Sequence, residues 1–200
     1  MKLDVLPIGL YQENIYLLHD HDHVLIIDPG RNAKEIAKYI APQETVDAIL
    51  LTHGHSDHVM AADDLADMYG CPVYLNRSDR MLVTPGVGRI DGTEYPVYSE
   101  LRDLDEGELK AGTFPLHIYH TPGHTAGSVL IRFRGILFTG DTLFAQSIGR
   151  TDLYSGNEEE MIASLRRIMD LPGDLKIFPG HGPSSTISHE KIANPYLQNL

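Results

Sequence analysis

The sequence predicts an α/β fold, on three observations. Short apolar runs of strand length alternate with stretches whose apolar residues recur every three or four positions. Four of the apolar runs stop at glycine-containing turns that offer a histidine or an aspartate. Residues 52–58 then place His53, His55, Asp57 and His58 directly after the apolar run 46–51. In α/β proteins ligands gather at the carboxyl ends of strands, so these turns are the places to look for chemistry.

The elements follow in chain order. Residues 4–8, 15–18 and 24–27 read as strands, the last two joined by a polar, solvated turn over 19–23 that includes His19, His21 and His23. Ala33, Ile36, Ala37 and Ile40 fall on one helical face, with Asn32 and Glu35 spaced as a capping pair. The run 46–51 is the next strand. A helix is expected over 58–69, with Ala61, Leu65, Met68 and Tyr69 inward and Gly70 as its stop. Segment 84–100, rich in glycine and proline, reads as a surface excursion, with a lid over the site as the alternative. Runs 114–119, 136–139 and 175–178 are strands, and 157–169 is a helix with Met161, Ile162, Leu165, Ile168 and Met169 on one stripe.

Imidazole nitrogens and carboxylate oxygens are the donors that zinc, iron and manganese take in catalytic sites. Besides residues 53–58, the strand ends supply His124 after run 114–119, Asp141 after 136–139 and His181 after 175–178. Seven candidate ligands thus come from four separate loops. Glycine at each turn lets the backbone bend sharply and approach a ligand closely.

The motif HxHxDH, followed by Thr121-Pro122-Gly123-His124-Thr125, Gly140-Asp141-Thr142-Leu143-Phe144 and Gly180-His181-Gly182, closely resembles the metallo-β-lactamase-fold hydrolases, among them the glyoxalase II-like branch. The likeness runs from about Asn14 to the C-terminus and includes Asp28-Pro29-Gly30. It implies a four-layered αββα sandwich. It also implies two divalent metal ions, with zinc expected first and iron or manganese as alternatives. By the same resemblance His53, His55 and His124 hold one ion, Asp57, His58 and His181 the other, and Asp141 bridges them.

Length and charge agree. Two hundred residues suit one domain spanning 1–200. A formal charge of −12 disfavours nucleic acid as a partner, because phosphate recognition needs a basic surface. No apolar run is long enough to span a bilayer. Cys71 stands alone, which excludes a disulfide framework, and the first residues do not read as a secretory signal. A cytoplasmic location is expected.

Paired divalent ions would bring a shared water to a neutral pKa, with Asp57 as the catalytic group that orients it and accepts its proton. No strong general acid for an amine leaving group is evident, whereas a thiolate needs little help to leave. The expected substrate is a small-molecule thioester, glutathione-linked by the resemblance. Arg150 and Tyr154 look like the basic residue and tyrosine with which that branch binds glutathione, Arg150 suiting a carboxylate. The chain departs from the branch in two ways. Gly182-Pro183 stands where a Glu-Tyr pair follows the last histidine, and the helical C-terminal region of full-length glyoxalase II is missing. His117, His120 and His189 read as packing or surface residues, Cys71 as buried, and Thr52 and Thr142 as partners of the ligands.

Two other classes compete. A persulfide dioxygenase with a single iron shares Gly149-Arg150-Thr151-Asp152, but needs His58 and His181 less. A non-hydrolytic diiron electron-transfer module would carry glutamate at position 55 and a flavin domain. A true β-lactamase is disfavoured, as no cysteine stands at a ligand position.

Overall fold

In the computed structural model, which describes residues 1–8, 12–86, 95–198 and 200, the strands form two six-stranded sheets. The first runs β1 (Lys2–Ile8), β2 (Glu13–Asp20), β3 (His23–Ile27), β4 (Thr45–Leu50), β5 (Val73–Leu75) and β6 (Leu101–Asp103) in sequence order. β1 to β3 are antiparallel neighbours and β3 to β6 are parallel. The second sheet begins with the meander β7 (Gly107–Ala111), β8 (Phe114–His120), β9 (Val129–Phe133) and β10 (Ile136–Gly140). A two-stranded ribbon, β11 (Leu143–Phe144) and β12 (Ser147–Ile148), follows, and β13 (Lys176–Pro179) and β14 (Ser185–Thr186) complete the sheet beyond β10.

Alternation along the strands explains the layering, because successive side chains point to opposite faces. Leu25, Ile27, Ala48 and Leu50 face the second sheet, where Phe114, Ile118, Ile131 and Phe138 meet them. Their neighbours Val24, Ile26 and Ile49 face α1 (Ala33–Ile36), α2 (Ser56–Val59) and α3 (Ala62–Tyr69) through Ile36, Val59 and Leu65. Leu130, Leu137 and Ile177 turn outward in the same way onto α4 (Glu158–Met169), α5 (Ile187–Ala193) and α6 (Pro195–Gln198). Two sheets with helices on both outer faces make the expected αββα sandwich.

Several local expectations are corrected. The helix expected over 58–69 is two pieces. Ala61 N–H donates to the Pro29 carbonyl at 2.9 Å instead of continuing the ladder, and Met68 lies exposed. Asn32 sits at φ 62° with no side-chain cap bond, so the Asn32–Glu35 capping pair does not form, and the helix tightens into a 3₁₀ turn at 37–39. The solvated turn over 19–23 contracts to His21 and Asp22. His19 is buried in β2 with Nδ1 2.7 Å from Glu44, and His23 sits in β3 with Nδ1 2.8 Å from Asp47. Residues 87–94 of segment 84–100 lie outside the described residues. On its C-terminal flank Val97 N–H bonds the Val83 carbonyl at 3.0 Å, and Tyr98 and Ser99 donate to Asp63. Among the described residues no helix is long and apolar enough to cross a membrane.

Candidate metal centre

β8, β10 and β13 run in one direction, since β9 is antiparallel to both β8 and β10, while β13 is parallel to β10. Their carboxyl ends therefore share one edge, and the β4 end of the first sheet meets them there. Val129 N–H donates to the Thr52 carbonyl at 2.9 Å, and Asn14 N–H to the Gly180 carbonyl at 2.7 Å. The seven predicted ligands come together at this edge. His53, His55 and His124 present nitrogen atoms within 4.8 Å of one another, and so do the donor atoms of Asp57, His58 and His181. Asp141 lies between the groups: Oδ1 is 3.6 Å from His58 Nε2, and Oδ2 is 3.6 Å from both His124 Nε2 and His181 Nε2.

Side chains behind the candidate ligands fix their rings. Asp28, at φ 50°, accepts from Thr52 N–H at 2.7 Å and Thr52 Oγ1 at 2.6 Å, and lies 3.1 Å from His58 Nδ1. Thr52 Oγ1 is also 3.1 Å from His53 Nδ1. His124 Nδ1 donates to the Arg150 carbonyl at 2.8 Å, and its Nε2 turns inward to 2.8 Å from His55 Nδ1. Asp79 accepts from Gly54 N–H, Thr125 Oγ1 and Gly127 N–H at 2.8, 2.7 and 2.6 Å, so one buried carboxylate clips the His53–His55 loop to the His124 loop. Asn14 Nδ2 and Tyr16 Oη donate to the Pro179 carbonyl at 3.0 and 2.5 Å and hold the His181 turn. Gly30 and Gly180 are close approaches. A Cβ on the first would collide with the Asp57 carbonyl, and on the second with the Asp141 carboxylate.

Electrostatics divides the centre. Burial, reinforced by the neighbouring His58, pushes His53 well below the ordinary imidazole range. Burial and His124 bring His55 down to about 3, so His53 and His55 are neutral nitrogen donors. At His58 burial acts in the same direction but is overcome by Asp141, Asp57 and Asp28, which hold it well above that range. Burial at Asp57 is likewise overcome by His58 and His181, which hold its carboxyl low. The carboxylate half thus favours positive charge. His53 Nε2, His55 Nε2, His58 Nε2 and Asp141 Oδ1 are buried with no hydrogen-bond partner among the described residues. Such atoms are costly to leave unpaired, and cations would satisfy both halves. The donor set fits divalent metal.

With this geometry in place, comparison with known proteins is decisive at the level of family. The model of the metallo-beta-lactamase superfamily matches residues 8–181. This chain belongs to that superfamily. Its relatives include the probable metallo-hydrolase YqgX of Bacillus subtilis, 36% identical with 100% of this chain and 99% of that one covered. The hydroxyacylglutathione hydrolase GloC of Haemophilus influenzae is 35% identical at the same coverage. Among solved structures, the BLEG-1 B3 metallo-beta-lactamase aligns with a TM-score of 0.91 at 37% identity, covering 98% of this chain and 99% of that chain. TTHA1623 in a di-iron-bound form aligns at 0.82 and 33%, covering 97% and 100%.

In this superfamily member the centre opens on one side. Asp57, His181 and Asp141 keep 27, 25 and 11% of their side-chain surface exposed, whereas His58 has none. They floor a cleft of about 420 Å³ whose walls include Phe144, Gly149, Arg150 and Leu153. Arg150 reaches this cleft and forms a two-bonded pair with Asp152 at 2.7 and 2.8 Å. Tyr154 is 59% exposed and outside the wall, its place taken by Leu153. His120 supports the His124 loop, with Nε2 2.9 Å from the Ala126 carbonyl, and His117 pairs with Glu108 at the surface. Thr142 meets Thr121 at 3.2 Å, and Cys71 is a buried free thiol that burial pushes up to about 11. The sequence reading missed Asp79, Asn14 and Tyr16, and found the Asp28 motif without its role.

Proposed function

We propose that this chain is a dinuclear metal-dependent hydrolase that cleaves thioesters, S-acylglutathiones such as S-lactoylglutathione among them. The observation that carries the reading is the pair of three-donor groups flanking Asp141, with inward-facing atoms left unpaired, at the floor of a single cleft. His53, His55 and His124 would hold one ion and Asp57, His58 and His181 the other, with Asp141 touching both. Bound there, divalent ions would supply Lewis acidity and an acidified water at neutral pH. Asp57 has its carboxylate at the open face, 3.4 Å from His181 Nε2, and is held ionised, so it is placed to orient a nucleophile and take its proton. Arg150 would bind a substrate carboxylate by exchanging it for Asp152. Tyr154 would enter only where a substrate extends past the cleft mouth. GloC supports the thioester class, and the di-iron form of TTHA1623 keeps iron beside zinc as the metal.

The likeness to BLEG-1 favours one second reading, β-lactam hydrolysis at the same centre. One sample decides among the classes. Its metal content per chain is measured, and it is assayed with S-lactoylglutathione, with nitrocefin, and with glutathione persulfide under oxygen. Two metals and thioester turnover are expected, both reduced by Asp141→Ala, while Arg150→Ala raises KM chiefly for acyl-thiols bearing a carboxylate. One iron with oxygen uptake moves the chain to dioxygenase chemistry, and turnover of nitrocefin alone moves it to β-lactams. An Asp141→Ala protein that keeps two metals and full turnover overturns the site.

A further inference from the structure

Behind the Gly149–Arg150 wall of the catalytic cleft lies a larger groove, of about 800 Å³. Gly149 and Arg150 line both spaces, so the groove and the cleft adjoin across this wall. The connection is close to the metal centre. A Cβ on Gly149 would stand against His124 Nδ1 and the Asp141 carbonyl, and the Gly123 turn that carries His124 is pressed onto Met161 of α4.

The groove follows α4. Glu158, Met161, Ile162, Leu165 and Arg166 line it at helical spacing, and Tyr196 stands on the other side. Arg166 lies eight positions beyond Glu158, a run of about 12 Å at the rise of an α-helix. The floor is apolar: Met161 and Leu165 are buried and Ile162 half-buried. Charges of both signs stand at its margin, Arg150 and Arg166 beside Asp152 and Glu158. With Arg150 holding one substrate carboxylate, the rest of the margin, Arg166 against Asp152 and Glu158, offers further anionic groups little, whereas an uncharged flexible chain would bury its surface along the floor. The dimensions and lining are those of a small-molecule site.

We infer that this groove takes an apolar arm of the substrate, so that the protein prefers thioesters carrying a chain of several methylenes over short ones. The inference rests on the thioester reading for the reacting carbonyl but on the groove alone for the chain. The arm belongs to either the acyl or the thiol half, and two substrate series separate them: butanoyl to decanoyl esters of one thiol, and acetyl esters of thiols of rising length.

The experiment uses the metal-loaded protein and its Ile162→Glu and Ile162→Ala variants. Each fully buried methylene contributes about fourfold to kcat/KM, so one series should rise at least about thirtyfold from its shortest to its longest member. In Ile162→Glu that ratio should fall to within about threefold of one, with Ile162→Ala between. A rise in the acyl series assigns the arm to the acyl half, and a rise in the thiol series to the leaving group. Flat series, or a rise that Ile162→Glu leaves intact, overturn the inference. Calorimetry with two non-hydrolysable thioethers, S-decyl- and S-methyl-N-acetylcysteamine, separates the groove from the reaction. Absence of thioester turnover with the decyl probe bound at least about tenfold tighter, and that margin lost in Ile162→Glu, retires the hydrolase reading and keeps the groove. Equal binding of both probes overturns the groove whatever the turnover.

Discussion

Asp79 supplies no inward-facing donor atom, yet it fixes two of the loops that do. Its three hydrogen bonds reach residues 25, 46 and 48 positions away, which is why no local pattern announced it. Burial raises its carboxyl above the usual range, against the pull of the Thr125, Gly54 and Gly127 donors. Asp79→Ala would strand the Gly54 and Gly127 amides in the interior, at about 1–3 kcal/mol each, and free the histidine loops to drift. Partners of this kind typically change metal affinity by about 10- to 100-fold. Competition against a chromophoric chelator should show that loss in Asp79→Ala, and affinity equal to the parent's would mean that the loops hold their place without the clip. The candidate ligands, by contrast, were legible because four of them lie within six residues, directly after an apolar strand run.

Between elements, the two sheets are joined away from the metal centre by Asp47. From β4 it accepts Thr113 N–H and Thr113 Oγ1, both at 2.7 Å, beside the β7–β8 turn, and it pairs with His23 of β3. Burial would raise its carboxyl, but the Thr113 and His23 bonds outweigh it and hold it below the ordinary value. A carboxyl lowered in the folded state stabilises above its unfolded pKa, and the contribution is lost as pH falls through the folded value. Asp47→Ala should therefore cost about 2 kcal/mol near neutrality, a fall in Tm of about 4–8 °C, with the gap to the parent narrowing below about pH 4. A gap that stays constant into acid would assign the loss to packing. The strands feeding the site were readable at this scale, since β4, β8, β10 and β13 are apolar runs cut off by glycine turns or by the ligand stretch. The broken α2–α3 helix was not. Its break depends on Pro29, thirty-two positions from the Ala61 amide it captures, and on Gly30 lying against the Asp57 carbonyl. Asn32 failed as a cap for a similar reason: its left-handed backbone, set by the turn after Asp28, points the side chain elsewhere.

At the scale of the whole molecule, both donor groups that flank Asp141 span the two sheets. His53 and His55 follow β4 of the first sheet while His124 follows β8 of the second, and Asp57 and His58 face His181 after β13. An ion in either group is thus a cross-link between halves of the sandwich, closing loops of 69 residues or more between His55 and His124. Apart from any ion, the edge is held by the Val129–Thr52 and Asn14–Gly180 backbone bonds and by the Asp79 clip, and Asp57 and Asp141 face the cleft. A ligand that binds only the folded state stabilises it by about 4 kcal/mol at a thousandfold excess over its Kd. For a chain of this length that corresponds to about 8–16 °C in Tm. Scanning calorimetry before and after exhaustive chelation should show a fall of that size, reversed by adding back zinc or ferrous iron. In Asp79→Ala the fall should be smaller, because the loops the ion would tie are already loosened. A chelated protein that melts with the loaded one would mean that no ion joins the two sheets, and would return the donor groups to separate, unlinked clusters.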